Sequence, residues 1–239
     1  MPTVVELSDP YANFLLTPGA PEAGGVCSVC LTLIEGDYPR CYPCQHHARG
    51  ADGVLPISYS IHRGQLHAAL RGYKSDWASA ARFKFELAAV LWRFLEQHEG
   101  CLARRVGVEG FGVVTTVPSS DAARDAVHPL HDVVGRVIGR TADRHERLLR
   151  RSGAEVEARA VDVHRFDATR VLAGESVLLI DDTWTTGASV ESAALSLKAA
   201  GAATVGVVVI GRHINDDYAD NTSRLKALPR FSWERCAIE

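Results

Sequence analysis

The chain has 239 residues, 46% of them hydrophobic and 23% charged, with a formal net charge of −3. That balance suits one sizeable α/β domain with room for a small module and excludes a disordered or fibrous chain. It also excludes a surface dominated by positive charge, so composition does not favour nucleic acid as the main partner, although a local basic patch stays open.

The opening MPTVVELSDPYANFLL carries Glu6 and Asp9 and no basic stretch, unlike a signal peptide. No apolar run approaches the roughly 18 residues of a membrane span. A cytoplasmic protein with reduced thiols and no membrane partner is expected. Residues 1–26 read as a tail and linker. TPGAPEAGG, from Thr17 to Gly25, is rich in Pro and Gly and reads as a flexible linker. Tyr11, Phe14, Leu15 and Leu16 before it fit either a short docked element or a tail.

Residues 27–50 hold CSVCLTLIEGDYPRCYPC. Cys27, Cys30, Cys41 and Cys44 make two C-x2-C knuckles, with Gly36 and Pro39 as turn residues between them. Four thiolates so placed are expected to surround one tetrahedral ion in a zinc-ribbon-like module; two disulfides or four idle thiols are the plainer alternative, which a reducing compartment disfavours. The ion is expected to be structural zinc, because four sulfurs leave no open position. Iron on the same sulfurs is the alternative. His46 and His47 are expected to be solvated neighbours. Cys101 and Cys236 stand alone in the sequence and read as small buried hydrophobes.

Residues 51–212 carry the α/β pattern. VLPISYSIHRG is a strand or extended link. QLHAALRGYK predicts a short helix ending near Gly72. SDWASAARFKFELAAVLWRFLEQHEG predicts a longer one, with Ser75 as cap, Gly100 as stop, and Phe83, Leu87, Val90, Leu91 and Phe94 on its buried face. FGVVTTVP is a strand ending in PSS. HPLHDVVGRVIGRTADRHERLLRR predicts an amphipathic helix that buries Leu130, Val133, Val134, Val137 and Ile138. EVEARAV predicts a short strand, SVLLIDD a central parallel strand, GASVESAALSLKAAG a helix stopped by Gly201, and TVGVVVIG another buried strand. The order implies an open parallel sheet with right-handed crossovers. Residues 213–239 form a polar tail whose Trp233 and Cys236 suggest that its end packs back.

The chemistry concentrates in VLLIDDTWTTGAS, residues 177–189. In open parallel sheets ligands sit at the carboxyl ends of the strands. There, Asp181 and Asp182 end an apolar strand, and a small-residue loop leads into a helix. A helix N-terminus offers unpaired amides to an anion. Thr185, Thr186 and Ser189 add hydroxyls, and Gly187 allows close backbone approach. The carboxylates repel a phosphate and so face hydroxyls or a cation. A sugar phosphate satisfies both halves. No Walker loop and no G-x-G-x-x-G is present. The plainer alternative is an N-capped helix after a buried strand.

Four apolar residues, two acids, two variable positions, then TTG and a small residue: the stretch resembles the phosphoribosyl-diphosphate motif of type I phosphoribosyltransferases. From about residue 27 to 212 the chain resembles one branch, the ComF-like competence-associated family, through the Cys27–Cys44 module, the helical LHAALRGYK (Leu66 to Lys74) and the strand ending Val117-Pro118. The resemblance implies a twisted parallel sheet with a hood element and a mobile loop. It implies that Asp181, Asp182, Thr183, Thr185, Thr186, Gly187, Ala188 and Ser189 bind phosphoribosyl diphosphate with Mg2+. Asp181 and Asp182 then act catalytically on the ribose, while a nitrogen acceptor of unknown identity displaces pyrophosphate. By position, Pro118, Ser119 and Ser120 form the pyrophosphate loop; the same three residues also fit an ordinary turn. The family's Arg- and Asn-rich stretch after Val-Pro is replaced here by DAARDAVHPLHDVV, which carries only Arg124. Arg144, Arg147, Arg150 and Arg151 follow, as a catalytic loop or as a solvated helix face. The alternative function is a non-catalytic nucleotide- or phosphoribosyl-diphosphate-binding protein, regulatory or accessory to DNA uptake or processing. A homodimer stays open.

Overall fold

The computed structural model describes residues 2–119 and 122–238. Its centre is a four-stranded, wholly parallel sheet in the order β1-β6-β5-β2. Strands β5 (Ser176–Trp184) and β6 (Thr204–Ile214) carry the longest apolar runs. Such strands need cover on both faces, which the middle of a sheet provides. The edges go to β1 (Gly53–Ile61), where Pro56 is tolerated, and to β2 (Val113–Thr116).

Side chains alternate along β5 and divide the core. Leu178 and Ile180 pack with α3 (Gln65–Gly72) and α4 (Ala80–Arg105). Val177 and Leu179 pack with α8 (Ala188–Ala199) and with the cysteine module. No helix among the described residues is long and apolar enough to cross a membrane.

Several elements differ from the sequence expectation, each for a local reason. Ser75 does not cap α4. Its hydroxyl donates to the Gly72 carbonyl at 2.7 Å and accepts from the Trp77 amide at 3.2 Å, which closes the turn after α3. Gly100 lies inside α4, on its exposed side. The helix stops instead before Gly107, whose φ of 78° lets the Val108 amide reach back to the Ala103 carbonyl at 3.0 Å.

The single helix expected after His128 is broken into α6 (Pro129–Asp132), a π turn (Val133–Val137) and α7 (Gly139–Ala142). The extended backbone of Ile138 separates the last two. Leu130, Val133, Val134 and Ile138 are buried as the periodicity implied, and Val137 faces out. EVEARAV forms no strand. The antiparallel pair lies around it, as β3 (Leu149–Arg151) and β4 (Phe166–Ala168), where Leu149 and Phe166 supply the buried side chains.

Both chain ends dock. Helix α1 (Val4–Ser8) opens with a capping box between Thr3 and Glu6. Tyr11 and Leu15 then enter the α4 side of the core. The following segment is anchored to β1: the Leu16 amide donates to Ser58 Oγ at 2.8 Å and the Gly19 amide to the Tyr59 hydroxyl at 3.1 Å. After α9 (Asn221–Ala227), Phe231, Trp233 and Cys236 return to the same core.

Candidate functional site

The cysteine module is the first of two candidate centres. Its knuckles fold as the spacing requires. Leu31 takes a left-handed φ of 55° and its amide donates to the Cys27 carbonyl at 3.0 Å. Cys41 stands just before α2 (Tyr42–His46), which carries Cys44. The ligand atoms of Cys27, Cys30, Cys41 and Cys44 lie within 4.8 Å of one another, and Cys30 and Cys41 sulfurs are 3.6 Å apart. Zinc–sulfur bonds of 2.3 Å in a tetrahedron place sulfurs about 3.8 Å apart. The group therefore fits a tetrahedral metal such as zinc. His46 is exposed and neither it nor His47 joins the cluster.

Arg212 ties this centre to the rest of the fold. It is buried at the end of β6. Its Nε donates to the Cys30 carbonyl at 3.1 Å, and Nη2 lies 3.4 Å from the Cys30 sulfur. Its Nη1 donates to the carbonyls of Trp184 at 3.1 Å and Thr185 at 2.9 Å. One guanidinium thus favours a thiolate on one side and fixes the loop after β5 on the other.

That loop is the second centre. Strand alternation sends Asp181 and Asp182 to opposite faces of the sheet. Asp182 is buried, 3% exposed, on the α3 side. It accepts from the Tyr73 hydroxyl and pairs with the Lys74 ammonium at 2.5 Å. Burial alone would raise its carboxyl; Lys74 and Tyr73 outweigh burial and hold it below the ordinary range. His128 Nε2 is 4.0 Å away. Burial pushes that imidazole down to about 4, so it is neutral at pH 7 and contributes no ion pair.

Asp181 keeps partial solvent access and accepts from the Asp182 amide at 2.9 Å. Burial, and then the charge of Asp182, push its carboxyl up to about 8. The two adjacent acids are therefore pushed in opposite directions: Asp182 is held ionised by its partners, and Asp181 is driven toward its protonated form.

Beyond them, Thr183 is partly exposed, Trp184 is buried and Thr185 is exposed. The Thr186 hydroxyl accepts from the Ala188 amide at 3.3 Å. Gly187 takes a φ of 86°, and a Cβ there would overlap the Trp184 indole. Only glycine meets both constraints. Ala188 is buried and Ser189 partly exposed in the first turn of α8. Glu191, one turn on, faces inward and accepts from the Gly50 and Ala51 amides at 2.8 and 3.1 Å. It belongs to the scaffold rather than to the loop.

Pro118 and Ser119 follow β2 at the same edge as Asp181; Ser120 lies outside the described residues. The Ser119 amide donates to Asp125 Oδ1 at 2.7 Å. Asp125 also pairs with Arg147 and lies 3.1 Å from His131 Nε2, while the other ring nitrogen meets Thr116. Between this loop and α3 opens a cavity of about 600 Å³, lined by Arg71, Lys74, Ser119, Arg124 and His128. A larger cavity, about 790 Å³, lies between the N-terminal segment and α9, away from these groups.

Arg71, Tyr73, Lys74, His128 and Asp125 were not among the sequence-derived site residues. The signal available was the GYK that closes LHAALRGYK, polar side chains set beyond the last apolar turn of a helix. Arg147 pairs with Asp125, and Arg144 lies between Glu99 and the Phe111 carbonyl, at 2.7 Å from each. These two arginines are built into the framework. No protein-family model matches the chain, and no curated protein matches it in sequence.

Proposed function

We propose that the chain is a phosphoribosyltransferase-like protein of the ComF-like kind that binds phosphoribosyl diphosphate. The observation that carries the reading is the adjacent acids among the last residues of a central parallel strand that ends at Trp184, with a left-handed glycine five residues after Asp182 opening a helix. The loop amides and the hydroxyls of Thr185, Thr186 and Ser189 take the 5′-phosphate. Asp181, the acid with solvent access, takes the ribose hydroxyls, while Asp182, buried on the opposite face, holds Lys74 and Tyr73 in place beside the site. Lys74, Arg71 and Arg124 line the adjacent cavity and supply positive charge for the pyrophosphate.

In this reading a nitrogen acceptor attacks C1 of the ribose and the C1–oxygen bond to pyrophosphate breaks. The protein's part is orientation: it fixes the phosphate end so that binding energy far from C1 aligns the reacting atoms. Mg2+ carried in with the ligand would supply charge neutralisation for the pyrophosphate, beside Lys74, Arg71 and Arg124. Zinc at the four cysteines holds the module and, through Arg212, the loop.

A second reading, binding without turnover, is favoured by one contact: Asp125 already occupies the Ser119 amide that a pyrophosphate would use. Pyrophosphate release from phosphoribosyl diphosphate over a panel of nitrogen bases separates the two. Release above the acceptor-free rate supports the transferase. Binding with no release on any acceptor supports the sensor or accessory role.

A further inference from the structure

Cys101 and Cys236 are solitary in the sequence and adjacent in the fold. His98 and Cys101 stand three residues apart on α4 and leave the same face of the helix. The segment after α9 crosses that face and delivers Cys236. All three residues are buried, and their ligand atoms lie within 4.8 Å of one another. His98 Nδ1 is 3.7 Å from the Cys101 sulfur. A tetrahedral ion with nitrogen at about 2.1 Å and sulfur at about 2.3 Å holds those two atoms about 3.6 Å apart.

The surroundings prepare the ligands. His98 Nε2 lies 2.7 Å from the Trp233 carbonyl oxygen. A carbonyl only accepts, so the ring proton sits on Nε2 and the Nδ1 lone pair turns toward the sulfur. Metal-bound histidines are oriented in this way. Arg104 Nη2 is 3.4 Å from the Cys101 sulfur, and its charge favours the thiolate.

We propose that His98, Cys101 and Cys236 supply three of the four positions of a second metal site, separate from the four-cysteine centre, for a soft thiophilic ion such as zinc. Two thiolates and a neutral imidazole balance a doubly charged cation, which suits a buried position. Binding releases the two thiol protons. A sulfur-rich donor set does not suit magnesium or calcium, which take oxygen. The ion fastens the C-terminal segment to α4 and so closes the core over Trp233.

The test is metal content per full-length chain, purified with zinc present, for wild type, Cys236→Ser, His98→Gln and Cys27→Ser. The proposal expects two zinc ions in wild type and one in Cys236→Ser and His98→Gln. If wild type carries one ion, its loss in Cys236→Ser but not in Cys27→Ser still supports the site and counts against the four-cysteine centre. One ion that Cys236→Ser retains overturns the proposal and leaves a thiol–imidazole hydrogen bond. Should the variants fail to fold, alkylation of wild-type Cys236 decides the matter. Protection that a chelator abolishes supports the site; equal labelling with and without chelator overturns it.

Discussion

Replacing Asp181 by Asn should stabilise the protein, and by an amount that depends on pH. Burial, and then the Asp182 charge, push the Asp181 carboxyl up to about 8 in the fold, against an ordinary value of 3.8. Below about pH 4 the carboxyl is protonated in both folded and unfolded chains, and it costs nothing. As pH rises through 4 the unfolded chain ionises while the folded one does not, and the native state loses stability until pH reaches about 8. Four pH units at about 1.4 kcal/mol each set a ceiling near 6 kcal/mol. Asp181 keeps a solvent edge, and screening there brings the expected gain to about 1–3 kcal/mol at pH 8. Asn keeps an Oδ1 acceptor for the Asp182 amide, so the local geometry survives. Urea unfolding of wild type and Asp181→Asn at pH 4, 6 and 8 measures the difference. A gain that grows with pH supports the reasoning. A difference that is flat with pH, or a variant less stable at pH 8, refutes it.

Lys74→Met leaves Asp182 buried with Tyr73 as its nearest partner and should destabilise the fold at pH 7 by about 1–3 kcal/mol, below the usual cost of breaking a buried pair because Lys74 is one-third exposed. Asp182 is held below the ordinary carboxylate range, so its contribution exists at neutral pH and fades as acid protonates it; denaturant titration should show the gap narrowing below pH 4. Cys27→Ser should lose the four-cysteine ion and loosen the module, read as zinc per chain and as faster amide exchange over residues 27–50. Arg212→Met should weaken metal retention about 10–100-fold, because it removes the donor to Cys30, and a chromophoric chelator in competition reads that loss. The same variant frees the Trp184 and Thr185 carbonyls, so it should also lower affinity for phosphoribosyl diphosphate.

The parallel sheet was legible because apolar runs in SVLLI and TVGVVVI need cover on two faces, and strands so covered sit centrally. The four cysteines were legible because thiolate spacing is set by the ion's size rather than by the rest of the fold. Helix ends were less so. Gly100 and Gly107 both offer a stop, and periodicity does not say which one the core lets turn left-handed. The helix expected over residues 128–151 failed because its apolar spacing is satisfied equally by short turns around Ile138. Within the site, the acids and the glycine were readable from one contiguous stretch. Their partners were not: Tyr73, Lys74 and His128 arrive from elements far along the chain, and only tertiary packing places them beside Asp182. The pairing of His98 and Cys101 with Cys236 was hidden for the same reason.

The measurement that bears most directly on the account is calorimetric titration with phosphoribosyl diphosphate and Mg2+, of wild type and of the double variant Asp181→Asn, Asp182→Asn. The expected result is a saturable heat in wild type that vanishes in a double variant which still unfolds cooperatively. No heat in wild type, or the same affinity in both proteins, would contradict it.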